Sequence, residues 1–84
     1  MTKEEAYNLV YRIITDRLGV DDSISPETRF VDDLGCDSLD LVEIGLDLEQ
    51  ELGIELPDDQ LEGMVTIQDA VDLLMEKMSR KSGR

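Results

Sequence analysis

Ser38 is the side chain in this sequence best placed to carry chemistry. It lies in the run Asp32-Asp33-Leu34-Gly35-Cys36-Asp37-Ser38-Leu39-Asp40, inside a stretch from Phe30 to Glu76 that contains no lysine, arginine or histidine. Taken alone, a serine just ahead of an apolar helical run reads as an ordinary N-cap. To act as a catalyst it would need a base. The chain has no histidine, and the flanking carboxylates of Asp37 and Asp40 offer the hydroxyl no evident activation, so an enzyme is not expected. Cys36 is the one cysteine. An intramolecular disulfide and a zinc site of cysteine, or cysteine with histidine, are therefore excluded, and nothing basic lies near it in sequence to lower its pKa. An Asp-x-Asp-x-Asp-Gly loop closed by glutamate is also missing. No dedicated metal site is expected, and Asp21-Asp22 and Asp58-Asp59 offer at most weak divalent binding that relieves repulsion.

The charge says whom such a surface would meet. With 21 acidic and 8 basic residues the net charge is -13 over 84 residues. An unrelieved negative face opposes folding by self-repulsion, and its use is to attract basic surfaces of protein partners and speed their encounter. Nucleic acid is argued against. Apolar residues make up 40% of the chain and recur at helical spacing, which separates it from disordered acidic tails. The size is that of one domain able to bury a modest core. The start Met1-Thr2-Lys3-Glu4-Glu5 lacks the apolar centre of a signal peptide, and no apolar run reaches bilayer length, so a cytoplasmic monomer without membrane insertion is expected.

Four helices must position the serine. Thr2 with Glu5 three residues on forms a capping box, Ala6, Leu9, Val10, Ile13 and Ile14 make an apolar stripe, and Gly19 ends the helix. A long connection runs from Gly19 to about Cys36, with a turn at Ser25-Pro26 and with Phe30, Val31 and Leu34 able to pin it to a core. The second helix spans about Ser38 to Leu52, capped by Asp37 or Ser38 and stopped by Gly53. Beyond Pro57, residues 58–62 make one short turn. Thr66 with Asp69 opens a last helix carrying Ile67, Ala70, Val71, Leu74 and Met78. The fold class is all-α, a small bundle of three long helices and one short. Its domain covers residues 1–78, followed by a basic, flexible tail at 79–84.

On a wheel at 100° per residue, Asp40, Glu43, Asp47 and Glu51 of the second helix fall within about 80°. Leu41, Ile44, Leu48 and Leu52 form one apolar band. Leu39, Val42 and Leu46 form another on the opposite flank. Either this helix is central, with neighbours on both sides, or the second band stays exposed as a docking surface with a charged rim.

The run around Ser38, together with Val42-Glu43, Leu48-Glu49, Glu51-Leu52-Gly53-Ile54, Leu56-Pro57-Asp58 and Thr66-Ile67-Gln68-Asp69-Ala70-Val71, closely resembles acyl carrier proteins. The resemblance extends over nearly the whole chain. It implies an acyl-carrier-like helical bundle in which Ser38 receives 4'-phosphopantetheine from coenzyme A through a phosphodiester, the prosthetic thiol then carrying acyl groups as thioesters. It further implies a partner face of Asp37, Leu39, Asp40, Val42, Glu43, Leu46 and Asp47, which meets a phosphopantetheinyl transferase and acyl-transferring and chain-extending enzymes with basic patches. Leu41, Ile44, Gly45 and Leu48 would face the acyl chain. The start of a helix suits the attached phosphate, since unpaired N–H groups and the positive dipole end lie there.

Departures from the family pattern fall at the same places. Leu41 stands where threonine or a smaller residue is common and narrows the expected interior; Gly45 replaces an aliphatic residue and removes volume, so the two changes offset. Asp47 replaces a small neutral residue, Gln50 lacks a frequent charge, and Cys36 stands for alanine or glycine. The acids carried could be those of fatty-acid synthesis or of a specialised lipid or polyketide. An aminoacyl or peptidyl carrier, and an unmodified acidic helical interaction module, are the alternatives.

Overall fold

The computed structural model describes residues 1–19 and 24–82, and the Asp21-Asp22 pair lies outside them. Helix α1 spans Lys3–Leu18. Its N-terminus is closed reciprocally: the Glu5 amide donates to Thr2 Oγ1 at 3.1 Å and the Thr2 amide to Glu5 Oε1 at 2.8 Å. At the other end Gly19 adopts φ 72°, and its N–H reaches the Thr15 carbonyl, a left-handed cap that favours glycine. Ala6, Val10, Ile13 and Ile14 are buried, while Leu9 lies half-buried beside them.

Helix α2 spans Ser38–Leu52 and α3 Asp58–Glu62. Helix α4 spans Ile67–Ser82. Asp69 Oδ2 accepts from the Thr66 amide and Thr66 Oγ1 from the Asp69 amide, so the last helix starts where its capping pair places it. Its helical backbone carries the start of the expected tail, 79–82, whereas Gly83 and Arg84 lie outside the described residues. Helix α1 packs against α4 and α2, and α3 packs on α2. Among the described residues the layout is the all-α arrangement of three long helices and one short.

The described part of the long connection is held from two sides. Phe30, wholly buried, donates its amide to the Val65 carbonyl at 2.9 Å and accepts from the Cys36 amide at 2.9 Å, and the Ile67 amide donates to the Thr28 carbonyl. These bonds place the approach to α2 against the segment entering α4. One expectation is corrected here. Val31 does not pin the loop; it is 55% exposed, because the turn that buries Phe30 sends its neighbour outward. The turn closes with Gly35 at φ 73°, where the Gly35 amide reaches the Val31 carbonyl.

Candidate functional site

The start of α2 resolves which residue caps it. Asp37, in extended backbone, accepts the Asp40 amide at 3.0 Å on Oδ1, and Asp40 Oδ2 accepts the Asp37 amide at 3.2 Å. Both carboxylates beside Ser38 thus use one oxygen each to close the helix. Ser38 becomes the first helical residue, exposed, with no capping task for its hydroxyl. Asp37 takes the Asp40 amide and the Leu41 amide bonds the Asp37 carbonyl, so the N–H groups left at this end are those of Ser38 and Leu39.

Two residues upstream, Cys36 is 3% exposed and faces the core, unlike the serine. Burial pushes its thiol pKa up, and the negative charges of Asp40 and Asp37 add to the effect. The thiol is held protonated, and small enough to pack at the turn.

The two apolar bands of α2 separate cleanly. Leu41, Ile44 and Leu48 are buried, Leu52 is half-buried, and Leu39 and Leu46 are 63% and 48% exposed, with Val42 half-buried between them. The second band is therefore left largely uncovered by the described residues, with only Val42 partly sheltered. Gly45 lies on the buried side. A Cβ there would stand 2.4 Å from Leu61 Cδ1 and 2.7 Å from Cδ2, so the volume released by the missing side chain is filled by Leu61 of α3, itself 2% exposed. Near the turn that precedes α2, Val31, Leu41, Met64 and Val65, with Arg29, Asp32 and Glu62 at the rim, line an open cleft of about 200 Å³. Leu61, Met64 and Val65 escaped the sequence reading, which treated 58–62 only as a turn. Their signal was the side chain that Gly45 lacks.

The acidic stripe is not unrelieved. Arg17, in the last turn of α1, makes a forked contact with Asp47, Nε to Oδ2 at 2.6 Å and Nη2 to Oδ1 at 3.2 Å, and its Nη1 reaches Glu43 Oε1 at 3.0 Å. These bonds raise the guanidinium pKa further above its already high value, Asp47 being the main cause. Arg12, earlier on α1, pairs with Glu51 at 3.0 Å. Neither arginine was legible as part of this face. They are far from their partners in sequence, and only the packing of α1 on α2 joins them. Among the described residues no three metal-ligating side chains gather, and no helix is long and apolar enough to cross a membrane.

The family model described as the phosphopantetheine attachment site matches residues 8–74. The chain is 45% identical over 78 residues to the acyl carrier protein of Chlorobium phaeovibrioides (strain DSM 265 / 1930), covering 92% of this chain and 100% of that one. It is 46% identical over 77 residues to that of Rubrobacter xylanophilus, covering 90% and 95%. The crystal structure of an acyl carrier protein from Thermotoga maritima superposes with a TM-score of 0.83 at 20% identity, over 95% of this chain and 94% of that one, a likeness of fold. Fold and site thus define a phosphopantetheine-bearing carrier domain. The chain belongs to the acyl carrier proteins, whose prosthetic group is 4'-phosphopantetheine.

Proposed function

We propose that this protein carries acyl groups as thioesters on 4'-phosphopantetheine joined to Ser38 Oγ. The observation that carries this reading is the capping of α2 by Asp37, which leaves the Ser38 hydroxyl exposed and unengaged at the first residue of the helix. In the transfer from coenzyme A, Ser38 Oγ forms the new bond to phosphorus as its proton leaves, and the pyrophosphate bond breaks to release adenosine 3',5'-bisphosphate. The base belongs to the transferase, since no group beside Ser38 is suited to the task. The N–H groups of Ser38 and Leu39, at the positive end of the helix, would hold the attached phosphodiester. The prosthetic group supplies the thiol; this chain supplies the anchor, the partner face and the apolar shelter.

Asp37, Leu39, Asp40, Val42, Glu43, Leu46 and Asp47 form the partner face in this reading, met by basic patches on the transferase and on acyl-handling enzymes. A free thiol and a lone cysteine suit the reducing cytoplasm. For the cargo, Leu61 over Gly45 favours short or shallowly held acyl groups in the cleft at Leu41, Met64 and Val65, and so a specialised pathway over bulk long-chain synthesis.

Intact mass after incubation with coenzyme A, magnesium and a broad-specificity phosphopantetheinyl transferase tests the carrier reading. One added phosphopantetheinyl group is expected, and none on folded Ser38→Ala. An unmodified wild type, with a known carrier modified in parallel, would favour the bare interaction module.

A further inference from the structure

We infer that Arg17 is an internal occupant of the acidic helix face, holding Glu43 and Asp47 so that basic protein partners are confined to the first turns of α2. The inference rests on the carrier reading. Its observation is independent of it: three hydrogen bonds from one guanidinium bind the two carboxylates at 2.6 to 3.2 Å, and all three side chains stay partly exposed, at 33% to 42%. The face shows by its own contents what it selects. A forked cation from α1 already sits where an arginine of a partner would sit; with both oxygens of Asp47 and one of Glu43 engaged and their charge offset, the pair attracts a second cation weakly. Arg12 does the same for Glu51 one stage further along.

Of the stripe, Asp40 alone then makes no direct contact with a cation from α1, Arg17 acting on it only at longer range through its charge, and Asp37 joins it one turn before. Each keeps one carboxylate oxygen outside the capping box. Leu39 and Leu46, exposed on the neighbouring flank, supply the apolar part of the same footprint. The partner that fits is a protein surface with an apolar centre and a basic group directed at the beginning of α2. Partners that need basic contacts further along the helix must displace Arg17 first, so the contact acts as a filter among them.

The test is the salt dependence of kcat/KM for phosphopantetheinyl transfer to the apo protein. Arg17→Gln frees both carboxylates. A rise of about two- to fivefold at low ionic strength is expected, the worth of one exposed ion pair, with a steeper fall as salt is added. Arg17→Lys keeps the charge without the fork and should lie between. Arg12→Gln makes the same change of charge beside Glu51, about 20 Å along the axis from Ser38 against about 8 Å for Glu43 and about 14 Å for Asp47. Screening should leave it with the smaller effect. Melting curves establish that each variant is folded. A kcat/KM of Arg17→Gln equal to or below wild type, or matched by Arg12→Gln, overturns the inference. A wild type that accepts no group at all would instead overturn the carrier reading.

Discussion

Two neighbours in sequence, Cys36 and Ser38, have opposite fates because the chain turns into a helix between them. The extended backbone of Asp37 lets its carboxylate close the helix, and this leaves Ser38 outside while Cys36 points in. Replacing Asp37 with alanine removes the cap and costs about 1 kcal/mol, so Ser38 depends on it for position as well as for freedom. The buried thiol gives a pH dependence of definite sign. Its pKa is raised above the ordinary 9.0 in the folded protein. The protonated thiol therefore contributes stability that is fully present below the unfolded pKa and is lost as pH rises through the folded value. Urea melts at pH 7 and at pH 10.5 should show a larger loss of stability for wild type than for Cys36→Ala. Equal losses would mean that the thiol ionises as freely folded as unfolded.

Between elements, the contact of α3 with α2 is an interlock of a missing side chain with a large one. Glycine inside a helix costs about 1 kcal/mol against alanine, and here the compensation is visible as Leu61 packed against the bare backbone of Gly45. Leu41 lies one turn before Gly45 on the same side of α2, and Leu61, which covers Gly45, is not among the residues that line the cleft beside Leu41. With an octanoyl thioester on the arm, the methyl resonances of Leu41 and Val65 should shift while those of Leu61 hardly move. Leu61→Val, at a cost of about 1 kcal/mol, should let the chain reach Gly45 and raise the melting temperature gained on acylation. Leu61 methyls that shift in the wild type as much as those of Leu41 would show a chain buried between α2 and α3, and the shallow-cargo reading would fall.

Over the whole molecule, repulsion and pairing oppose each other in their response to salt. The net charge is -13, while the described ion pairs on α2 involve only Arg12 and Arg17, both exposed or half-exposed. Exposed pairs contribute little each, so the relief of self-repulsion should prevail. Raising NaCl from about 0.01 to about 1 M shortens the screening length from about 30 to about 3 Å. The melting temperature should rise, by about 4–8 °C for each kcal/mol of repulsion removed. A constant or falling value would mean that the α1 arginines neutralise the face far better than their exposure suggests.

The sequence by itself determined the helices, because caps and periodicity act over three or four residues: Thr2 with Glu5, Gly19, Gly53, and Thr66 with Asp69 each mark a boundary where the backbone turns. It also held the motif around Ser38, which is local. The choice between Asp37 and Ser38 as the cap needed atomic geometry, since both residue types cap well. Whether Leu39 and Leu46 were covered, where Val31 pointed, and what filled the space above Gly45 depended on how α1, α3 and the entry to α4 pack around α2. The meeting of Arg17 with Glu43 and Asp47 spans 26 and 30 residues. No local pattern encodes such a pair, so the sequence showed a bare acidic stripe and the tertiary structure supplied the cations that occupy it.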